Sequence, residues 1–161
     1  MPVDAEIEAY SRQTQSLLER ICACLEGLSE SQLNWRPRLD GANSAYAITA
    51  HALGCARAWV LGIACGQAIG RDRPAEFRAA GSYAELATAM RELSAEIEVA
   101  LAALPPAALV RRFTPSQELW GEDEAYEITI REALIEVVEH ASIHLGQLHV
   151  TCDLALREAP A

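Results

Sequence analysis

Apolar residues recur at the three- and four-residue spacing of an amphipathic helix in four long segments of the chain. These segments cover about residues 4–25, 45–69, 82–104 and 129–156. The first shows the pattern most clearly, with an apolar stripe formed by Ile7, Leu17, Leu18, Ile21 and Leu25. No segment has a convincing strand pattern. The periodicity therefore predicts an all-α fold.

Capping signals mark where these helices begin. Capping boxes occur at Ser29–Gln32, Ser82–Glu85 and Thr129–Glu132, and Ser44 is placed to cap the second long helix. Four long helices in one chain of 161 residues predict a single domain, folded as a four-helix bundle. Residues 26–43 are long enough to form a crossover connection between the first two long helices.

The second long helix and the connection before the last one differ from the rest of the chain. The second helix is rich in alanine and glycine, which let neighbouring backbones approach, so we expect it in the middle of the bundle. The same small residues are a candidate interface for a homodimer. Residues 105–127 have no clear period, and connections of that length are often functional or partly extended.

The charge balance excludes several classes of partner. The chain has 13 arginines, no lysine and 23 acidic residues, which gives a formal net charge of −10. Such a surface repels phosphate backbones and anionic lipid, so we expect neither nucleic acid nor a membrane as partner. Arginines interrupt the best apolar run, and we expect no membrane span. The acidic N-terminus does not match a secretory signal peptide.

The five cysteines are expected to be free. Their number is odd, and a chain of this size does not need disulfides. None belongs to a paired zinc-finger pattern, so we interpret them as small buried residues. This use of cysteine is typical of the reducing cytoplasm.

Three of the four histidines are candidate metal ligands. His140 and His144 are four residues apart on the last helix, so both imidazoles leave the same face, which also carries core residues. His51 lies in the apolar second helix, where a buried imidazole needs a partner. Three neutral imidazoles would leave coordination positions open for water or substrate. His149 lies about 140° around the helix from His144, and we expect it at the surface.

The pattern alone does not show that these histidines meet. Two histidines four residues apart also arise on helices by chance. A histidine in a core is more often hydrogen-bonded to a carbonyl or hydroxyl group than bound to a metal. From the spacing, a metal site and ordinary core histidines both remain open.

Four further residues of the last helix are candidates for supporting roles. Gln147 lies about 60° around the helix from His144 and is placed to hydrogen-bond a ligand or a bound water. Gly146 is expected to let a neighbouring helix pack closely. Glu136 and Glu139 precede His140, but acids beside a helix face are usually solvated.

Several motifs resemble those of the DinB-like (YfiT-type) superfamily. Trp-Arg-Pro at 35–37, Gly-Ala-Asn-Ser at 41–44 and Ala-His-Ala at 50–52 resemble the entry to its second helix. The run from Glu139 to Leu148 resembles its last-helix signature, in which two histidines four apart precede Gly-Gln. The resemblance spans nearly the whole chain. It implies a four-helix bundle with a long crossover, in which His51, His140 and His144 hold Zn²⁺ or Ni²⁺.

The same resemblance implies a function. Members of that superfamily include S-transferases for low-molecular-weight thiols such as bacillithiol or mycothiol. A thiol held by such an ion loses its proton near neutral pH and becomes a nucleophile for an electrophilic carbon. The thiol would be a small-molecule cosubstrate, because Cys55, one turn after His51, is expected in the core. Members of the superfamily often pair, which adds a homodimer to the expectations.

Two other functions remain open from the sequence. A metal-dependent hydrolase would activate water at the same site. However, Ala141 follows His140 at the position where a metalloprotease carries its glutamate. A non-enzymatic bundle that binds a metal or a small molecule would have a closed site and no specific affinity for thiols.

The connection at 105–127 bears on the substrate. If it covers the metal and presents Arg111 or Arg112, an anionic thiol or acid becomes the expected ligand. If it lies elsewhere, these arginines are surface charges and Trp120 belongs to a satellite core, which is our expectation. Trp35 and Trp59 are expected to be packing residues.

Overall fold

The structure is a computed structural model that describes residues 4–120 and 124–159. The first three residues and part of the predicted 105–127 connection lie outside this range. The helices are α1 (Ala5–Ala23), α2 (Glu30–Asn34), α3 (Ala45–Ala56), α4 (Arg73–Glu76), α5 (Tyr83–Ala102), α6 (Gln117–Trp120) and α7 (Ile130–Glu158). A π-helical segment, Arg57–Ala64, continues α3, and a 3-10 helix covers Pro106–Val110. The strands β1 (Arg112–Phe113) and β2 (Ile128–Thr129) form one short antiparallel pair.

Four long helices build the bundle: α1, α3 with its π-helical extension, α5 and α7. Helix α1 packs chiefly against α5 and α7, and α3 packs against the same two helices. Helices α1 and α3 are therefore diagonal neighbours, and the chain between them crosses the bundle. The predicted all-α bundle with a crossover connection is confirmed. The chain crosses again between α5 and α7, and the β1–β2 pair closes this second connection.

The predicted capping residues begin the long helices. Ser82 and Thr129 form complete capping boxes with Glu85 and Glu132. The Ser44 side chain accepts a hydrogen bond from the backbone N–H of Ala47 at 3.2 Å. Because the first N–H groups of a helix have no partner within it, these side chains set where each helix starts.

Helix α3 and its extension form the centre of the bundle, as predicted from their small residues. Ala45, Ala47, Ala52, Ala56 and Ala58 are all almost fully buried. These alanines pack against the rest of the chain, and a homodimer interface at this helix stays a prediction.

The length and composition of the 45–64 helix would also suit a membrane span, so the prediction that no apolar run is long enough is wrong. Arg57 alone does not interrupt it. In the bundle, 83% of this apolar window is buried inside the protein. That burial identifies it as a core helix, since a membrane-spanning helix would present its apolar side chains to lipid.

The second long helix ends five residues earlier than its pattern predicts. The N–H of Cys65 donates to the carbonyl of Val60, five residues back, at 2.9 Å. Gly66 follows with a φ of +70°, in the left-handed region that glycine adopts without a Cβ clash. The chain turns there, and Ile69 then packs back against Gly62 of the extension.

Candidate metal centre

His51, His140 and His144 meet where α3 packs against α7. The Nε2 atom of His140 lies 3.2 Å from Nε2 of His51 and 3.2 Å from Nε2 of His144. One ligand atom from each histidine lies within 4.8 Å of the other two. His51 is only 3% exposed, whereas His140 and His144 are partly exposed. The centre is therefore buried on the α3 side and accessible on the α7 side.

Glu76 orients the most buried of the three histidines. Its Oε2 lies 2.7 Å from Nδ1 of His51, which places the imidazole proton at Nδ1 and leaves the Nε2 lone pair facing the other histidines. Burial raises the pKa of Glu76, but hydrogen bonds from His51 and Arg71 outweigh it and hold the pKa below its usual value. Glu76 therefore remains a carboxylate behind His51.

Arg71 holds Glu76 in place. Its Nε donates to Oε1 of Glu76 at 2.9 Å, and its Nη2 donates to Oε2 at 3.1 Å, which makes a bidentate pair. Nη1 donates to the carbonyl of Leu119 at 3.3 Å, and the Arg71 N–H donates to Oε1 of Glu118 at 3.0 Å. The Arg71 side chain is only 5% exposed. Arg71 therefore links helix α6 to Glu76 and, through Glu76, to His51.

Gly54, one turn after His51, leaves the space that Glu76 occupies. A Cβ atom at this position would lie 2.7 Å from Cδ of Glu76, and real Cβ atoms do not approach that closely. Glycine is therefore required for the carboxylate to reach His51.

Phe77 stacks on the imidazole ring of His51. The two rings stack with centroids 4.3 Å apart and planes 29° apart. The backbone carbonyl of Phe77 accepts a hydrogen bond from Nη2 of Arg36, and Nη1 of Arg36 donates to Oδ1 of Asn43 at 3.3 Å. Arg36 and Asn43 belong to the two motifs that precede α3. These motifs therefore help to hold the segment that supports His51.

Gln147 orients the most C-terminal histidine of the cluster. Its Oε1 lies 2.9 Å from Nδ1 of His144, so the predicted hydrogen bond to a candidate ligand is confirmed. The amide oxygen places the proton of His144 at Nδ1, and the Nε2 lone pair faces the cluster.

The electrostatics of the cluster favour neutral imidazoles. Burial is the main reason that the pKa of His140 falls to about 3, and the neighbouring His144 and His51 lower it further. Burial also lowers the pKa of His144. The Nδ1 protons of His51 and His144 are turned to Glu76 and Gln147, so their Nε2 atoms offer lone pairs to the same small volume. Neutral nitrogens in this arrangement fit a bound transition-metal ion.

Several other predicted residues can now be placed. His149 and Glu139 are exposed, as expected, whereas Glu136 is half-buried and not simply solvated. Gly146 is exposed, and a Cβ atom built there would meet nothing within 4 Å in the described residues. The predicted helix contact at Gly146 is therefore wrong. Cys55 is buried and free, as expected.

The connection before α7 does not bring its predicted arginines to the centre. Arg111 and Arg112 are exposed, and Arg112 pairs with Glu127 at 3.2 Å. They are surface charges, as expected. Trp120 packs on Trp59 with ring centroids 5.2 Å apart, at the edge of the core. The arginine that supports the centre is Arg71, which lies between the π-helical extension of α3 and α4.

The sequence pattern does not single out the supporting residues Gly54, Arg71, Glu76 and Phe77. For Arg71, Glu76 and Phe77, a local signal lies in the polar loop between the second and third long helices. Asp72 caps α4 by accepting a hydrogen bond from the Ala75 N–H at 2.9 Å, and a proline stands at the start of the helix. An Asp-x-Pro start predicts a helix of its own. Which histidine this short helix contacts depends on the tertiary packing.

Comparison with known proteins agrees with this architecture. The family model of the DinB superfamily matches residues 10–148, a range that includes all three clustered histidines. No curated protein and no solved structure matches the chain. The matched range covers most of the chain and confirms the resemblance seen in its motifs. The chain belongs to the DinB superfamily.

Proposed function

We propose that His51, His140 and His144 bind one divalent metal ion, Zn²⁺ or Ni²⁺, and that the protein is a metal-dependent S-transferase. The reaction would join a low-molecular-weight thiol to an electrophilic small molecule. The observation that carries the proposal is the convergence of the three histidine Nε2 atoms. In two of the rings, those of His51 and His144, the other nitrogen, Nδ1, already has a hydrogen-bond partner. Three imidazole ligands leave positions for a substrate, which suits a reactive site.

The chain's own residues prepare the centre for this chemistry. Glu76 and Gln147 hold protons at Nδ1 of His51 and His144, so both Nε2 atoms stay available as ligands. Phe77 and the core around α3 exclude water from the His51 side. When bound, the ion would supply Lewis acidity that favours the thiolate form of a thiol beside it.

The thiol is proposed as a cosubstrate because the protein's own cysteines are poorly suited to the reaction. Cys55 is the cysteine nearest to His51 in the chain, and burial is the main reason that its pKa rises to about 12. Burial also raises the pKa of Cys22, Cys65 and Cys152 to about 11. Thiols of this kind carry little thiolate near pH 7.

Free cysteines and the net charge of −10 also support our proposal of a cytoplasmic location without a nucleic-acid partner. A homodimer remains a prediction. Sedimentation equilibrium of the purified protein tests it directly.

Elemental analysis tests the metal centre. Untagged wild-type protein is expected to contain about one Zn or Ni per chain, or to take up one equivalent after addition of either ion. His144→Ala should lose the metal, while His149→Ala, on an exposed position of the same helix, should keep it. A folded wild-type protein that binds neither ion would contradict both the centre and the enzyme.

Thiol transfer is tested separately on the metal-loaded protein. Bacillithiol, mycothiol and glutathione are each mixed with monobromobimane, and the fluorescent conjugate is followed above the uncatalysed rate. Wild-type protein is expected to accelerate one of these reactions, and His144→Ala should not. A metal-loaded protein that accelerates none of them would contradict the S-transferase and leave a metal-binding bundle.

A further inference from the structure

A cavity of about 460 Å³ opens between the π-helical extension of α3, the end of α6 and the first turns of α7. Its described lining residues are Trp59, Trp120, Tyr126, Ile128, Glu132, Ile135 and Glu136. Its volume lies in the range of sites for small organic ligands. None of the seven carries a positive charge, whereas two are carboxylates. Its lining of aromatic rings and carboxylates differs in chemistry from that of the histidine cluster.

The aromatic residues form a continuous group on the cavity wall. Trp120 packs against Trp59 and also contacts Tyr126, with ring centroids 4.7 Å apart and planes 71° apart. Trp59 is buried, while Tyr126 is 64% exposed, so the group runs from the core to the solvent. The electron-rich faces of tryptophan and tyrosine attract cations.

The two carboxylates add a negative potential to the same cavity. Glu132 accepts hydrogen bonds from the N–H and Oγ1 of Thr129 at 2.6 and 2.7 Å, and these bonds keep its pKa below the usual value. Glu136 is half-buried and has no hydrogen bond or ion pair within the part of the chain that the structure describes. Burial raises the pKa of Glu136, and nearby Glu139 raises it further. A cation beside Glu136 would offset both effects.

We propose that this cavity binds an organic cation, an alkyl- or arylammonium group joined to an apolar body. The ammonium group would lie beside Glu136 and the rings of Trp120 and Tyr126. The apolar body would contact Ile128 and Ile135, which line the same cavity. Anionic ligands are excluded because both carboxylates would repel them.

The cavity lies next to the proposed metal centre but does not depend on it. Glu136, which lines the cavity, precedes His140 by one helical turn, so the two residues lie on the same face of α7. An organic cation in the cavity would therefore sit beside the histidine cluster. Its binding requires neither the metal ion nor thiol transfer, so the two proposals can fail independently.

Binding is measured by tryptophan fluorescence in the presence of EDTA. The Trp35→Phe variant is used as the background because Trp35 does not line the cavity, so the remaining signal comes from Trp59 and Trp120. Phenyltrimethylammonium is the first probe. Choline and its uncharged isostere 3,3-dimethyl-1-butanol form a second pair that differs in charge alone. We expect saturable binding of phenyltrimethylammonium, and choline should bind about tenfold more tightly than the isostere.

Two variants test the assigned residues. Glu136→Gln should weaken phenyltrimethylammonium binding about tenfold, whereas Glu158→Gln, the same change at an exposed position near the end of α7, should leave affinity unchanged. Tyr126→Leu removes a largely exposed ring and should weaken binding severalfold without opening the core. Circular dichroism of each variant checks that the bundle remains folded.

Three results would each overturn the proposal. The first is the absence of saturable binding of phenyltrimethylammonium at concentrations up to about 10 mM, which is tenfold above a millimolar dissociation constant. The second is equal affinity for choline and 3,3-dimethyl-1-butanol. The third is an equal effect of Glu136→Gln and Glu158→Gln, which would mean that the cation binds the general negative surface and not the cavity. Unchanged affinity in His144→Ala is expected and would separate this site from the metal centre.

Discussion

The Nδ1 atom of His51 and the Oε2 atom of Glu76 lie 2.7 Å apart, and this contact joins the central helix to a four-residue helix behind the histidine cluster. Glu76 is 12% exposed and is itself held by two hydrogen bonds from Arg71. The contact selects the tautomer of His51 in which Nε2 can act as a ligand. The properties of the cluster should therefore depend on residues that do not touch the proposed metal.

Glu76→Gln should weaken Zn²⁺ binding about 10- to 100-fold, because residues that orient a ligating histidine contribute affinity of this order. The amide can still accept from His51, but it lacks the charge that makes the imidazole a stronger ligand. Competition with a chromophoric chelator measures the change. Glu139→Gln, at an exposed position on α7, is the matched control. Equal affinities of Glu76→Gln and wild type would contradict the supporting role of Glu76.

Gly54→Ala and Gly146→Ala should have opposite effects on the protein. At Gly146 a Cβ atom meets open space, so alanine should raise the free energy of unfolding by up to about 1 kcal/mol through its helix propensity. At Gly54 a Cβ atom would collide with Glu76, so alanine should bring no such gain and should weaken Zn²⁺ binding. Urea unfolding and chelator competition measure the two quantities. Tight Zn²⁺ binding by Gly54→Ala would show that Glu76 can move without consequence.

Arg71→Gln should lower the free energy of unfolding by about 3 kcal/mol, because it leaves the carboxylate of Glu76 without its buried partner. Arg57→Gln removes an arginine from an exposed pair with Glu96, whose N–O distance is 2.8 Å. Solvent screens that pair, so its loss should lower the free energy of unfolding by less than about 1 kcal/mol. Urea denaturation of both variants makes the comparison. Similar losses would mean that the Arg71–Glu76 pair is no more important than a surface contact.

The metal-free protein should lose stability as the pH falls from 7 to 5. Burial lowers the pKa of His140 in the fold to about 3 from its ordinary value of 6.5, so between these values the unfolded chain binds more protons than the folded one. Stability is therefore fully present above the unfolded pKa and decreases below it. The lowered pKa of His144 acts in the same direction.

Thermal unfolding in EDTA at several pH values tests this dependence. His140→Gln should show a shallower decrease of the melting temperature between pH 7 and 5 than wild type. His149→Gln, which changes an exposed histidine of the same helix, should keep the wild-type slope. A wild-type slope in His140→Gln would contradict the burial effect assigned to His140.

Much of the fold follows from local patterns. Helical periodicity and the caps at Ser44, Ser82 and Thr129 involve residues within a few positions of one another, so they can be read directly along the chain. The pairing of His140 with His144 is of the same kind, because one turn of helix brings them together. The sequence therefore predicts His140 and His144 as a pair, and it predicts His51 from its place in an apolar helix and from the resemblance of the surrounding motifs.

The tertiary structure decided what lies around those residues. His51 and His140 are 89 positions apart, and only the packing of α3 on α7 brings their Nε2 atoms to 3.2 Å. Glu76 ends the four-residue helix α4, in a segment without helical periodicity, and its approach to His51 depends on the missing side chain at Gly54. The aromatic cavity likewise joins Trp59 to Trp120, which belong to distant segments. Spacing along a helix determines which side chains share a face, but contacts between elements depend on how those elements pack.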